Sequence, residues 1–216
     1  MLLEKARRDL VKYGKKLVEH NLTKGTGGNL SIYDDGEELM ALTPSGIPYF
    51  EMEPADIVIM NLDGEVVEGD KKPSSEEAMH RFIYKKRDDI KALVHAHSTY
   101  STSLSLLRET LPPAHYMIAL AGYDVRCARY ATYGTEELAN NAIEAMEGRN
   151  AVLLANHGLL AGAGDLPNAF NTAEEVEFVA EVYWRAKAIG EPVILPEAEM
   201  NLMAEKFKSY GQVKNS

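Results

Sequence analysis

Cysteine is nearly absent from this 216-residue chain, where Cys127 stands alone. One thiol closes no internal disulfide and argues against a thiolate-built metal cluster. Long apolar runs are also missing, since none approaches the ~20 residues that span a bilayer, so no membrane partner is expected. Met1-Leu2-Leu3-Glu4-Lys5 turns charged at once, without the apolar block of a secretory signal. A cytoplasmic location is the expectation. Positive charge is in deficit, with 23 Lys and Arg against 33 Asp and Glu and a net charge of −10. That balance argues against nucleic acid, whose binding needs a concentrated basic surface. The local clusters Lys5-Ala6-Arg7-Arg8 and Lys85-Lys86-Arg87 fall on polar helix faces and read as solvated surface. An acidic chain can still hold a small anion where backbone N–H groups or a metal supply positive potential.

Several catalytic signatures are lacking as well. There is no G-x-S-x-G elbow and no Walker-type loop. Gly25-Thr26-Gly27-Gly28 is followed by a strand where a nucleotide loop requires a helix. Lys85, Lys86 and Lys91 lie in charged contexts, not in the apolar pocket that a Schiff-base lysine needs.

What is present is organised around Leu93-Val94-His95-Ala96-His97, an apolar run with two histidines one residue apart. On a strand, His95 and His97 share a face, with Cα atoms roughly 6.6 Å apart at about 3.3 Å of rise per residue. Two imidazoles so placed can lean onto one metal ion. Upstream, Leu3, Ala6, Leu10, Tyr13 and Leu17 mark an amphipathic helix over about 3–20. Thr23 to Asn29 is too glycine-rich for regular structure. Leu30-Ser31-Ile32-Tyr33 and the stretch from Glu38 to Leu42 form a hairpin around Asp34-Asp35-Gly36. A second hairpin joins Ile57–Asn61 to Glu65–Val67. Pro73-Ser74-Ser75-Glu76-Glu77 opens a helix reaching about Lys86, with Ser74 and Glu77 in capping-box spacing. Helices are also expected from Ser98 to Leu107, from Thr135 to Met146, from about Asp165 to before Gly190, and from Glu197 to Phe207. His115–Leu120 and Val125–Ala131 read as short extended pieces, and Ala151–Ala155 as a buried strand running into Asn156-His157-Gly158. Strands that come partly as hairpins and partly between helices imply an α+β fold. Its mixed, largely antiparallel central sheet would be covered by helices on both faces. With no repeat and no linker, residues 1–216 read as one domain.

Among the six histidines, His157 is the best third metal ligand, because Gly158 lets the backbone turn at the strand end. Glu76, in the first turn of its helix, is the candidate carboxylate. His80 shares the helix face of Glu76 and competes with it as a ligand, though a core or supporting histidine is the first reading. Three loops suit an anion: Gly27-Gly28-Asn29, Ser45-Gly46, and Ser74-Ser75 at a helix start.

Gly25-Thr26-Gly27-Gly28-Asn29-Leu30-Ser31, Thr43-Pro44-Ser45-Gly46-Ile47-Pro48-Tyr49, Pro73-Ser74-Ser75-Glu76, His95-Ala96-His97, His115-Tyr116-Met117-Ile118-Ala119 and Asn156-His157-Gly158 together resemble the class II aldolase family. The likeness runs along nearly the whole chain, to Lys206-Phe207-Lys208-Ser209-Tyr210-Gly211. It implies zinc-dependent cleavage of a ketose 1-phosphate, with L-fuculose 1-phosphate expected, to dihydroxyacetone phosphate and an aldehyde, L-lactaldehyde. It implies one zinc ion per subunit on His95, His97 and His157, with Glu76 as a displaceable fourth ligand and catalytic base. Gly28, Asn29, Ser45, Gly46, Ser74 and Ser75 would hold the phosphate. Tyr116 and Tyr210 would be catalytic residues contributed across the interfaces of a four-fold symmetric homotetramer. Within the family, an L-ribulose-5-phosphate 4-epimerase carries aspartate where this chain has Glu76, which favours the aldolase. A non-catalytic, adducin-like module would have lost the metal ligands, and all four are present.

Overall fold

The computed structural model describes residues 1–208, so the expectation for Tyr210 lies outside the described residues. Among the described residues, eight strands form one sheet: β1 (Asn29–Asp34), β2 (Leu39–Leu42), β3 (Val58–Asn61), β4 (Val66–Glu68), β5 (Ala92–Ala96), β6 (Cys127–Ala128), β7 (Ala151–Leu154) and β8 (Gly158–Ala163). Their spatial order is β4-β3-β2-β1-β5-β8-β7-β6. Every neighbouring pair is antiparallel except β6 and β7. The mixed, largely antiparallel sheet expected from the sequence is what forms.

Among the described residues, six α-helices cover it: α1 (Glu4–Glu19), α2 (Glu77–Lys86), α3 (Thr99–Leu107), α4 (Glu136–Ala145), α5 (Leu166–Lys187) and α6 (Glu197–Lys208). Strand alternation sorts the core into two layers. Leu30, Val94, Ala96, Leu159 and Ala161 pack on one face against Leu10 and Leu17 of α1 and Phe170, Ala173 and Val176 of α5. Met40, Leu42, Leu93, Val152, Leu154 and Leu160 pack on the other, against Met79, Ile83 and Tyr84 of α2 and Leu138, Ala139 and Ala142 of α4. Helices therefore lie on both faces, as the pattern of hairpins and helices implies.

Three local expectations need correction, and one strand had no counterpart among them. Ser74 and Glu77 form no capping box; Glu76 is the residue before α2, and its N–H donates to Ser74 Oγ at 3.3 Å. The hydroxyl stabilises the turn ahead of the helix instead of its first turn. His115–Leu120 is not extended, because Tyr116–Leu120 winds into a 3₁₀ helix whose start is capped by His115. Val125–Ala131 contributes only the two residues of β6. Gly158–Ala163 is a full strand between β5 and β7 that the pattern of residues does not announce. A strand buried on both faces carries no polar alternation, so Gly-Leu-Leu-Ala-Gly-Ala has no period to read.

The site depends on the register of the central strands. Asn29 lies opposite His95 and Ser31 opposite Leu93, so Asn29, Ser31 and His95 share the face beneath α2. β8 runs antiparallel to β5 with Leu159 opposite Ala96, which brings the turn before β8 to the end of β5.

Candidate metal and phosphate site

His95 is the penultimate residue of β5, and His97 lies just past the strand end. His157 sits in the turn between β7 and β8, behind Asn156, whose φ of 54° is left-handed. Asparagine tolerates that conformation better than most residues. Gly158 follows because a Cβ there would collide with the carbonyl oxygen of Ala96 and approach the ring of His97. Glu76 enters from the start of α2. The four side chains converge, each offering a ligand atom within 4.8 Å of the others.

His95 Nε2 lies 3.0 Å from His97 Nε2 and 3.1 Å from Glu76 Oε2, and His157 Nε2 lies 3.4 Å from Glu76 Oε1. The three rings are 4.8 to 5.1 Å apart by their centroids. His95 Nδ1 meets the carbonyl of Leu159 at 2.9 Å, which assigns its ring proton there and turns Nε2 toward the cluster. Glu76 and His95 are buried, His157 is half-buried and His97 is exposed at the mouth. Glu76 Oε1 is buried without a hydrogen-bond partner among the described residues. An orphaned carboxylate oxygen among three imidazole nitrogens fits a divalent cation, and such an N₃O donor set is one that binds it.

The electrostatics agree with that role. Burial alone would raise the pKa of Glu76, but His95, His157 and the amide of Asn29 outweigh it and hold the carboxyl well below its usual range. Burial lowers His97 and His157 to about 4 each, with His95 adding to both shifts. His95 goes the other way; burial opposes its charge, and the adjacent Glu76 carboxylate more than offsets it. His97 and His157 thus stay neutral near pH 7, as metal ligands must be.

The three anion loops expected from the sequence meet here. Gly28, Asn29, Ser45, Gly46, Ser74 and Ser75 line one cleft of about 370 Å³ with Glu76, His97, His157 and Tyr133. The loops are tied together: Ser45 N–H donates to Lys72 O at 2.9 Å, and Ser74 N–H to Thr43 O at 3.2 Å. Gly28, at φ +71°, lies so close to β5 that a Cβ would stand 2.5 Å from His95 O. Its own carbonyl accepts from the Tyr49 hydroxyl at 2.9 Å, and Thr23 Oγ1 donates to Gly27 O at 2.8 Å. The glycine loop is thus held from behind by Thr23 and Tyr49.

Asn29 differs from the other phosphate candidates. Its amide nitrogen donates to Glu76 Oε2 at 3.0 Å, and its oxygen meets His80 Nε2 at 2.5 Å. Sequence reasoning missed Ser31 and Tyr84, whose oxygens lie 2.6 Å apart beside His80. A polar Ser31 between Leu30 and Ile32 in a core strand was the available signal. Tyr116 does not line the cleft; it is partly exposed, stacked on His115 and Phe207, and lines a separate cavity of about 730 Å³ beside α5 and α6.

The model of the family described as Class II Aldolase and Adducin N-terminal domain matches residues 8–184. The chain belongs to the class II aldolase family. Among curated members, a 5-deoxy-D-ribulose 1-phosphate aldolase of Bacillus thuringiensis serovar kurstaki is 55% identical over 212 residues, covering 98% of this chain and all of that one. An L-fuculose phosphate aldolase of Escherichia coli strain K12 is 40% identical over 210 residues, 96% of either chain. A solved structure of an L-fuculose 1-phosphate aldolase superposes with a TM-score of 0.93 at 64% identity, covering 94% of this chain and 96% of that one. As a class II aldolase the chain is a lyase, and its His and Glu cluster offers a divalent-metal site. No described helix is long and apolar enough to cross a membrane.

Proposed function

We propose that this class II aldolase cleaves a ketose 1-phosphate to dihydroxyacetone phosphate and a short aldehyde, with zinc as its metal. The observation that carries this reading is the adjacency of the two halves of the cleft. Glu76 belongs to the cation cluster, and its sequence neighbour Ser75 belongs to the anion loops lining the same cleft. One small molecule with a phosphate at C1 and oxygens at C2 and C3 would bridge them. His95, His97, His157 and Glu76 would hold the cation. When bound, it would supply Lewis-acid stabilisation of the electron pair left at C2 and C3, worth several kcal/mol.

The chain's own groups supply the rest. Gly28, Asn29, Ser45, Gly46, Ser74 and Ser75 would anchor the phosphate and so position C3 at Glu76. In the synthetic direction ionised Glu76 removes a proton from C3 of dihydroxyacetone phosphate, the C3–C4 bond forms, and the aldehyde oxygen takes a proton. Tyr116 of a neighbouring subunit would give that proton and, in cleavage, remove it from the C4 hydroxyl. Tyr210 would order the aldehyde end. The exposure of Tyr116 and its place outside the cleft lining of its own chain support this sharing within a four-fold symmetric homotetramer. One sheet gathering strands from Asn29 to Ala163 supports reading residues 1–216 as one domain. A cytoplasmic setting suits a sugar phosphate substrate.

L-Fuculose 1-phosphate is the first substrate reading, favoured by the 64% identical structure. The 55% identical relative favours a second, 5-deoxyribulose 1-phosphate, which would yield acetaldehyde in place of L-lactaldehyde. The purified zinc-loaded protein should release dihydroxyacetone phosphate from at least one of them, and the ratio of kcat/KM ranks the two. No release from either overturns the proposal, and a xylulose product from L-ribulose 5-phosphate would make it an epimerase.

A further inference from the structure

From Asn29 on the cleft wall, a file of hydrogen bonds runs behind Glu76 through His80 and Ser31 to Tyr84, and these last three residues do not line the cleft. Glu76, His80 and Tyr84 follow one another at four-residue intervals, which on a helix places them on one face. β1 presents Asn29 and Ser31 to them at two-residue spacing. The contacts are Glu76 Oε2 to Asn29 Nδ2 at 3.0 Å, Asn29 Oδ1 to His80 Nε2 at 2.5 Å, His80 Nδ1 to Ser31 Oγ at 2.6 Å, and Ser31 Oγ to Tyr84 OH at 2.6 Å. All of these side chains are buried, those of Ser31 and His80 completely.

The direction of every bond in the file follows from its last member. An ionised carboxylate only accepts, so the amide nitrogen of Asn29 must face Glu76 and its oxygen must face His80. His80 then carries its proton on Nε2 and accepts at Nδ1. The Ser31 hydroxyl donates to that nitrogen, and its oxygen takes the proton of Tyr84. Reversing any one bond would turn the Asn29 oxygen onto the carboxylate in a buried site, where an unmatched acceptor pair is costly. Only Oε2 of Glu76 is held by this file. Oε1, 3.4 Å from His157 Nε2, has no hydrogen-bond partner among the described residues.

We propose that Ser31 and His80 are positioning residues which, through Asn29, anchor Oε2 of Glu76 and make Oε1 the oxygen presented to the cation and to the substrate proton. The proposal rests on the reading of Glu76 as the proton carrier. The file also explains why a serine occupies a core strand and why a histidine, not an aliphatic residue, fills the helix position one turn beyond Glu76.

The test uses the zinc-loaded protein. Ring ¹⁵N shifts of His80 should show the Nε2–H tautomer through neutral pH, and an Nδ1–H tautomer or an imidazolium would overturn the proposal. Ser31→Ala and His80→Leu should slow solvent exchange of the dihydroxyacetone phosphate C3 proton about 10- to 100-fold and weaken zinc, measured by chelator competition, about ten-fold, the usual cost of losing such support. The KM for substrate should stay within about two-fold, since neither substituted residue lines the cleft. His80→Gln, which keeps a donor near the Nε2 position, should recover exchange to within about three-fold of wild type if the donor is what matters. Unchanged exchange in folded Ser31→Ala, or equal loss in the Gln and Leu variants, overturns it. Should His80→Leu fail to fold, Ser31→Ala and the tautomer decide the matter. A wild-type protein that exchanges no proton would sink the aldolase reading, and the tautomer and zinc-affinity measurements would still judge this one.

Discussion

The cleft at the end of β5 and the face around Tyr116 are built to opposite rules. In the cleft, Glu76 and His95 are buried, His95 is fixed by Leu159, and Glu76 is held from behind through Asn29. Around Tyr116, a half-exposed ring stacks on His115 and Phe207 and borders an open cavity beside α6. The first region is complete within one chain, and the second is a surface. A cation and a phosphate need several fixed donors converging at once, which a folded core supplies. The group serving the variable aldehyde end can come from elsewhere. The difference teaches that the proposed cation and phosphate sites are assembled by the fold of the single chain, whereas the proposed tyrosine chemistry would depend on assembly.

The sharpest way to break that contrast is at the cluster. His157→Ala or His95→Ala should release stoichiometric zinc by metal analysis and lower kcat at least about 10³-fold, since several kcal/mol of stabilisation are lost. Retained metal and activity would show that the cleft is not the centre. Next comes Glu76→Gln, which should reduce exchange of the dihydroxyacetone phosphate proton about 10²- to 10⁴-fold, the contribution of a positioned base. Normal exchange removes Glu76 from that role.

Tyr116→Phe should leave exchange largely intact while reducing carbon–carbon bond turnover about 100-fold. Mixing and reassembling Tyr116→Phe chains with Glu76→Gln chains should regain about a quarter of wild-type activity if each site draws on two subunits. No recovery would return both roles to one chain. The smallest effect concerns pH. Burial lowers His80 to about 3, against an ordinary value of 6.5. Between those values the unfolded chain binds the extra proton, so stability falls as pH drops from about 6.5 toward 3, by up to about 1.4 kcal/mol per pH unit. Chemical denaturation of chelator-treated protein should show a shallower acid slope for His80→Gln than for wild type.

Much of this layout is legible from residue spacing. The periods of α1, α2, α4 and α5, the turn glycines and the shared face of His95 and His97 are local facts, and local sterics enforce them. β8 was illegible because its residues are apolar or small on both faces. The 3₁₀ turn over Tyr116–Leu120 is not legible locally, because an apolar stretch of five residues fits an extended or a 3₁₀ conformation equally well. The tie between Asn29 and His80 spans 51 positions and has no local signature.

By itself, then, the sequence determined which residues could ligate a cation, which loops could receive an anion, and which faces would be buried. Those properties follow from side-chain chemistry and from the strand and helix periods. That His157 and Glu76 reach His95 was decided only in three dimensions. The antiparallel register of β5 with β8, and of β1 with β5 beneath α2, brings distant stretches into contact. Such register comes from the packing of the whole sheet, which no local stretch of the chain encodes.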